Sequence, residues 1–461
     1  MAAATALATR GMRVTLLEAK RRLGGRAGSY VDRESGELVD HCQHVAMGCC
    51  TNYLDFCRRM EIDGLFERYE TLHFFGPDGR RSDFRPAKWL PAPLHLLPAL
   101  DRLKFLSGAS RLGIKRAMLR LVRMRGADSS SSPMVLQWLR ENDQTEEAIE
   151  LFWAAVLVSA LGDTLDRVSV PAARKVFVDG FMAARGASDV IVPTVSLGEL
   201  YDAKAAERLR EQGVEIRLST GVERVLVAEG CVCGVAIDEG KSLAADAVVL
   251  GVPWRRVAEL VDCGGGNAGT DWERAKSIKA SPITGVHLWL DRPIMDLPHA
   301  VVVGRLTQWV FARSEKRRNL AGSASQADGS HYYQIVISGS HDLAGRERGS
   351  VLDEVLRDLS GIWPAASEAQ VVRSKIVTEQ ESVFSMQPGI EALRPAQRTS
   401  LAGLYLAGDW TRTGWPATME GAVRSGYLAA EAVLADAGLP ERVLVADLPR
   451  GWLAGLILPR A

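Results

Sequence analysis

The chain has 461 residues, of which 47% are apolar and 24% charged. That length exceeds one ordinary hydrophobic core, so two domains are expected. Basic and acidic side chains number 56 each, and this zero formal charge excludes whole-molecule attraction to nucleic acid.

Ala2–Thr9 patterns as a helix, and Gly11–Ala19 as a turn, a β-strand and an acidic residue, Glu18, at the strand's end. In a dinucleotide-binding fold an acid at that place bonds ribose hydroxyls. The glycine fingerprint of such a fold lies about 20 residues before its acid. Counting back from Glu18 passes residue 1, so the first strand and the G-x-G-x-x-G turn are expected to be missing. Ala2–Thr9 would then be the second half of the helix that follows the turn. Gly264-Gly265-Gly266 does not replace it, because no suitable strand precedes it. Met1–Thr9 also lacks the basic start and leucine-rich core of a secretory leader.

Leu23-Gly24-Gly25-Arg26-Ala27 is a glycine turn ending on a cation. Next come Asp40-His41-Cys42-Gln43-His44 and Cys49-Cys50. No second Cys/His pair with zinc-type spacing occurs, so no metal site is expected. Seven cysteines, an odd number in a long chain, argue for a reducing compartment rather than a disulfide framework.

Residues 86–190 are mainly helical in pattern. Within them Arg102–Arg125 carries eight basic residues and no acidic one, interleaved with leucines, methionines and Phe105. An amphipathic basic segment in a neutral protein favours an anionic membrane surface, at about 1 kcal/mol per basic residue. An ordinary solvated helix is the alternative. No run of 18 apolar residues occurs, so no segment is expected to span a membrane.

Glu199–Gln212 reads as a helix and Val214–Leu218 as a strand. A hairpin begins at Gly221–Val227 and continues through Cys231–Ile237, with Cys231 and Cys233 expected as buried filler. Asp246–Pro253 reads as a buried strand. Gly285–Leu290, Val301–Val303 and Tyr332–Ser338 read as a second sheet with helix Ser350–Leu359 against it, and Gly322–Ser330 as a Ser/Ala/Gly-rich mobile loop.

The strongest pattern is Leu404–Tyr427. An apolar strand, Leu404–Ala407, runs into Gly408-Asp409. A Gly/Pro loop follows, then a helix starting near Thr418 with Gly421, Ala422, Ser425, Gly426 and Ala429 on one face. Small side chains let a helix N-terminus approach a flat ligand and stabilise negative charge on it. Trp452–Leu458 near the C-terminus is apolar but too short to span a bilayer.

Leu404–Tyr427 resembles the C-terminal flavin-contacting segment of the FAD-dependent amine oxidase and phytoene desaturase superfamily, and Leu23–Ala27 resembles its Gly-Gly-Arg signature. The resemblance implies an α/β fold in which a Rossmann-like, glutathione-reductase-type FAD domain (1–85, 191–255 and 386–440) interleaves with an α+β substrate and membrane-facing domain (86–190 and 256–385). Residues 441–461 form a tail. It further implies FAD contacts at Glu18, Gly24, Gly25, Arg26 near the pyrophosphate, Val222 at the adenine, Gly408, Asp409, Met419 and Glu420. The superfamily also places a D-x-G-x-H-like loop beside the flavin. Here Cys42 takes the glycine's place, and His41 and His44 are the candidate catalytic groups. Because everything after the missing turn is flavoprotein-like, a truncated reading frame is the preferred account of it.

Ser169–Val178, Val192–Leu200, Ser281–Trp289 and Thr413–Ala422 resemble the squalene-associated FAD-dependent desaturases, a group that includes hydroxysqualene dehydroxylases. The implied activity is reductive removal of an allylic hydroxyl from hydroxysqualene in squalene and hopanoid biosynthesis. A carotenoid (phytoene-type) desaturase or isomerase is the first alternative, and an inactive truncated flavoprotein the second. The expected partners are an isoprenoid substrate and, through 102–125, an anionic membrane. The expected location is cytoplasmic and peripherally membrane-associated.

Overall fold

The computed structural model describes residues 1–33, 36–124, 132–237, 240–261, 271–312 and 329–458. Arg125, Gly264–Gly266 and residues 322–328 of the Ser/Ala/Gly-rich stretch lie outside the described residues. The architecture is mixed α/β.

Short strands form two parallel pairs, Thr15–Leu17 with Glu215–Arg217 and Val248–Leu250 with Leu404–Leu406. Each pair joins segments far apart in sequence, so the first 20 residues, the middle of the chain and residues 404–436 share one region. Val222–Ala228, Cys231–Ile237 and Lys241–Ala244 form an antiparallel sheet beside them. Cys231 and Cys233 are exposed, not buried filler. Residues two apart share a strand face, and it is Val232 and Gly234, on the opposite face from the cysteines, that are buried.

The helix Met419–Asp436 starts where the sequence predicts, capped by Thr418, whose Oγ1 accepts the Gly421 N–H at 3.1 Å. Its small-residue face has two uses. Gly421, Ala422 and Ser425 sit near the Gly408-Asp409 turn. Gly426 instead admits a second helix, Ala2–Ala8: a Cβ on Gly426 would lie 2.8 Å from the Ala2 Cβ and 2.9 Å from the Ala3 nitrogen.

A seven-stranded sheet holds, in spatial order, Val371–Phe384, Ala280–Leu290, His331–Ser338, Trp309–Ala312, His299–Val302, Leu72–Phe75 and Arg81–Phe84. The last two strands fall within the expected 1–85 segment of the nucleotide domain. Hydrogen bonding puts them in the large sheet, with Val301 paired to Phe74. Alternation divides the sheet's faces. Val286, Leu288, Val310, Ile335 and Ile337 pack with Val355 and Leu359 of the helix Arg348–Ser360. Val301, Trp309, Phe311, Val336 and Ser338 face a cavity instead. Helical segments, including Gly108–Arg123, Ile149–Leu161 and Val170–Phe181, close that cavity from the other side. Among the described residues no helix is long and apolar enough to cross a membrane, and no group of His, Cys, Asp and Glu is placed to hold a metal.

The close approach at Gly426 yields a prediction. Gly426→Val should destabilise the fold by about 1–3 kcal/mol, the usual result of overpacking a fixed helix contact. Chemical denaturation measures it, and an unchanged midpoint would show that the contact yields without cost.

Candidate active site

One continuous cavity of about 2420 Å³ runs through the protein. Pockets for a single small ligand usually measure about 300–1,000 Å³, so this space has room for a cofactor and a long substrate together. Every candidate site residue borders it: Glu18, Gly24, Gly25, Arg26, His41, His44, Val222, Gly408, Asp409, Met419 and Glu420.

At one end Glu18 closes the strand Thr15–Leu17. Its carboxylate accepts the Lys20 N–H at 2.8 Å, and its carbonyl accepts the Thr220 N–H at 2.9 Å, which brings Val222 alongside. The Gly-Gly-Arg turn needs its glycines. Gly24 has φ +102° and a Cβ there would sit 2.5 Å from the Ala27 oxygen; Gly25 has φ +61°.

Arg26 then reaches the other signature. Its Nη2 donates to Asp409 Oδ1 at 2.6 Å, across 383 residues, and its Nη1 donates to the Ser382 carbonyl at 2.5 Å. The Asp409 carboxylate beside it holds the guanidinium pKa above its ordinary value. Gly408 has φ +149°, and a Cβ there would lie 2.3 Å from the Trp410 indole nitrogen, so glycine is required before Asp409. The Gly408 N–H donates to Ser425 Oγ at 2.8 Å, tying this turn to the helix that follows.

Two buried charges build the site from behind, and of these the sequence reading singled out Glu420 but not Arg394. Arg394, fully buried, donates to the carbonyls of Asp409, Thr411 and Trp415 at 2.6–3.1 Å and to Thr413 Oγ1 at 3.0 Å. It is the internal mould of the Asp409–Trp415 loop. A lone cation before Pro395, close to a Gly/Pro loop, was its only trace in the sequence. Glu420, expected among the cofactor contacts with a structural side chain beside the Met419 backbone, has its carboxylate engaged by protein donors. Oε2 accepts the Tyr53 N–H at 2.7 Å, and Oε1 accepts Asn52 Nδ2 at 3.0 Å and Arg424 Nη1 at 3.3 Å. It thus caps the helix Thr51–Arg59 from a neighbouring helix. Burial raises its pKa, against those hydrogen bonds.

The two histidines differ in their hydrogen bonding. Arg22 Nη2 lies 2.5 Å from His41 Nε2. A guanidinium only donates, so that ring nitrogen holds a lone pair. Burial, then the charge of Arg22, lowers the His41 pKa. His44 Nδ1 lies 3.0 Å from the Cys42 carbonyl, which makes Nδ1 the protonated nitrogen. Burial lowers the His44 pKa too. The Cys42 thiol is pushed up to about 12 by burial, which keeps it protonated. Asp40 is anchored below this loop, accepting from Ser29 Oγ at 2.6 Å and the Leu197 N–H at 2.9 Å.

Beyond the flavin-signature residues the cavity is apolar, bordered by Phe152, Phe177, Phe181, Trp309 and Phe311. It continues to Leu97, Leu119 and Ile457 at the surface. Lys175 also borders this part and lies over the face of Trp415 at 5.1 Å. It was not singled out from the sequence, where Arg174 and Asp179 close by make it one charge among several.

A chamber divided between a turn-rich polar end and a long apolar end is that of a cofactor-dependent oxidoreductase. The chain belongs to the family of flavin-containing amine oxidoreductases, whose sequence profile matches residues 1–434. Its cofactor is FAD. Over 94% of its length it is 26% identical to hydroxysqualene dehydroxylase of Rhodopseudomonas palustris, covering 96% of that protein. It is 24% identical to 15-cis-phytoene desaturase of Solanum lycopersicum over 93% of its own length and 75% of that protein's. The fold matches cyclohexylamine oxidase of Brevibacterium oxydans with a TM-score of 0.65 at 18% identity, over 95% of this chain and 96% of that one.

The residues fit FAD. Glu18 and the Val222 backbone suit the adenosine end, the positive-φ turn at Gly24-Gly25 with Arg26 suits a diphosphate, and the Met419–Asp436 helix N-terminus suits the electron-rich ring. Asp409→Ala and Glu18→Ala should each raise the FAD dissociation constant about 10–100-fold, the loss of one hydrogen bond to a charged group at about 1.5–3 kcal/mol. Titration of the apoprotein followed by flavin fluorescence tests this, and unchanged affinity in both variants would remove the two carboxylates from the cofactor site.

Proposed function

We propose that this enzyme acts on a long isoprenoid, and that its reaction is reductive dehydroxylation of hydroxysqualene to squalene. The carrying observation is the apolar half of the cavity, long and lined by aromatic rings, joined without a wall to the FAD-binding end. The near full-length likeness to a hydroxysqualene dehydroxylase supports the choice of substrate. Bound FAD, when reduced, supplies a hydride.

The protein's contribution follows from its residues. Loss of an allylic hydroxyl leaves a delocalised cation that water would trap. Phe152, Phe177, Trp309 and Phe311 keep the reacting carbon dry. Arg26 and Asp409 fix the cofactor end relative to the apolar end, so the hydride donor and the allylic carbon meet in one orientation. His41 and His44, the first candidates for an acid, are already engaged, His41 Nε2 by Arg22 and His44 Nδ1–H by the Cys42 carbonyl, and burial disfavours the imidazolium of both, so they serve better to orient a ligand than to protonate one.

The second reading, a carotenoid desaturase or isomerase, draws on the likeness to 15-cis-phytoene desaturase. Incubation of the FAD-loaded enzyme with hydroxysqualene under reducing conditions, and separately with phytoene under oxidising ones, distinguishes them by product. Squalene from the first and no added double bonds in the second is the expected result; the reverse pattern would establish the desaturase.

We further propose peripheral membrane binding from the cytoplasmic side. Leu112 and Leu119 on the helix Gly108–Arg123, together with Leu97, Trp452, Leu456 and Ile457, expose apolar surface, and Leu97, Leu119 and Ile457 border the cavity. Arg116, Arg120 and Arg123 are exposed beside them. Two other cations of the segment bond internally to Asp101: Lys115 reaches its carboxylate at 2.6 Å and Arg111 its carbonyl at 2.9 Å. Replacing Arg116, Arg120 and Arg123 with Gln should therefore weaken binding to anionic vesicles about 100-fold at low salt, at about 1 kcal/mol per charge. The difference should fade as salt rises. Co-sedimentation is the measurement, and equal binding of variant and wild type would mark the helix as a solvated face.

A further inference from the structure

Reductive dehydroxylation needs a proton for the departing oxygen, and the residues bordering the cavity can be surveyed for one. His41 Nε2 accepts from Arg22, His44 Nδ1–H donates to the Cys42 carbonyl, and burial disfavours the protonated form of both rings. The Cys42 thiol is too weak an acid. Glu420 is enclosed by Tyr53, Asn52 and Arg424. Glu379 is solvent-exposed and Glu381 is paired with Arg255 at 2.8 Å; both lie near Ser382, at the Arg26 end. Arg26 and Lys115 are paired with Asp409 and Asp101. Ser159 is engaged by Trp309 Nε1 and the Ala155 carbonyl.

Lys175 stands apart from all of these. It is half-buried at the start of the segment Lys175–Phe181, next to the cavity-lining Val176 and Phe177. Asp179, the acid on its own segment, is taken by Arg174 at 3.2 Å and Arg450 at 3.4 Å. Among the described residues Lys175 has no carboxylate within ion-pair distance. Its ammonium rests on the Trp415 ring, an arrangement that holds the charge without occupying the N–H donors in conventional hydrogen bonds. Trp415 belongs to the loop that Arg394 shapes, which begins at Asp409. The cation is therefore fixed where the flavin-signature loop meets the apolar chamber.

We propose that the Lys175 ammonium binds the hydroxyl of the isoprenoid alcohol and protonates it as it leaves, a role that rests on the dehydroxylase reading above. The allylic C–O bond breaks, a proton passes from Nζ to the oxygen, and water departs. The allylic carbon takes a hydride from a two-electron donor of the reduced-flavin class, and the neutral amine regains its proton from solvent. The Trp415 face retains the ammonium in a chamber that otherwise disfavours charge.

The test uses the FAD-loaded enzyme and the variants Lys175→Met and Lys175→Arg, with thermal unfolding as a check that both are folded. Equilibrium binding of hydroxysqualene and squalene, read by quenching of tryptophan fluorescence, requires no turnover. Wild type should prefer the alcohol about 10–100-fold, as expected for one hydrogen bond to a charged group. Lys175→Met should lose the preference and Lys175→Arg should keep it. In turnover, both variants should lower kcat on the alcohol about 100-fold or more, the usual contribution of a general acid. Lys175→Met should still convert the acetate ester of the same alcohol, whose leaving group needs no proton. Retention of the binding preference in Lys175→Met, or equal losses on alcohol and ester, would overturn the proposal. If wild type yields no squalene, the dehydroxylase reading falls by itself, while the binding measurement still decides whether Lys175 recognises the hydroxyl.

Discussion

The pair between Arg26 and Asp409 is the contact on which the site depends. It joins two glycine-dependent turns from opposite ends of the chain at 2.6 Å. Asp409 is almost entirely buried, whereas the Arg26 side chain is 39% exposed. Such a pair contributes less to stability than a fully desolvated one. Its value lies in register. Gly24 and Gly408 each adopt backbone conformations that L side chains resist, so each turn has essentially one shape. The salt bridge then fixes one shape against the other, and the cofactor end of the chamber follows from both.

Behind that pair the site relies on buried charge made safe by dense hydrogen bonding. Arg394 organises three carbonyls and a hydroxyl; Glu420 collects donors from the start of another helix. A buried ion that loses its partners costs about 3–5 kcal/mol, so neither group tolerates a loop in the wrong place. Both act through geometry rather than chemistry. The same reasoning separates them from Lys175, a cation that no carboxylate among the described residues neutralises and that lines the chamber from a helical segment.

The seven-stranded sheet serves two purposes through strand alternation alone. Odd and even positions of the same strands face the helix Arg348–Ser360 on one side and the chamber on the other. The cavity wall is therefore as rigid as the core, and a long flexible hydrocarbon bound there would be shaped by a surface that cannot easily relax.

The sequence by itself determined the two flavin signatures, the acid at the end of the first strand, the start of the Met419–Asp436 helix at Thr418 and three of the seven strands of the large sheet. Each is written in a local pattern: a glycine forced by backbone conformation, a cap one residue before a helix, or a run of alternating or continuous apolar residues. The family resemblance rested on the same local patterns. Tertiary structure alone decided the rest. Leu72–Phe84 joined the large sheet through hydrogen bonds to a strand more than two hundred residues away. Cys231 and Cys233 turned outward because burial depends on which face meets a neighbour. Glu420 became a cap for a distant helix, and His41 an acceptor from Arg22. Gly426 met Ala2, and Lys175 came to rest on Trp415. None of these has a signal in its own neighbourhood, because a charge or a small side chain acquires its role only from the partner that folding brings to it.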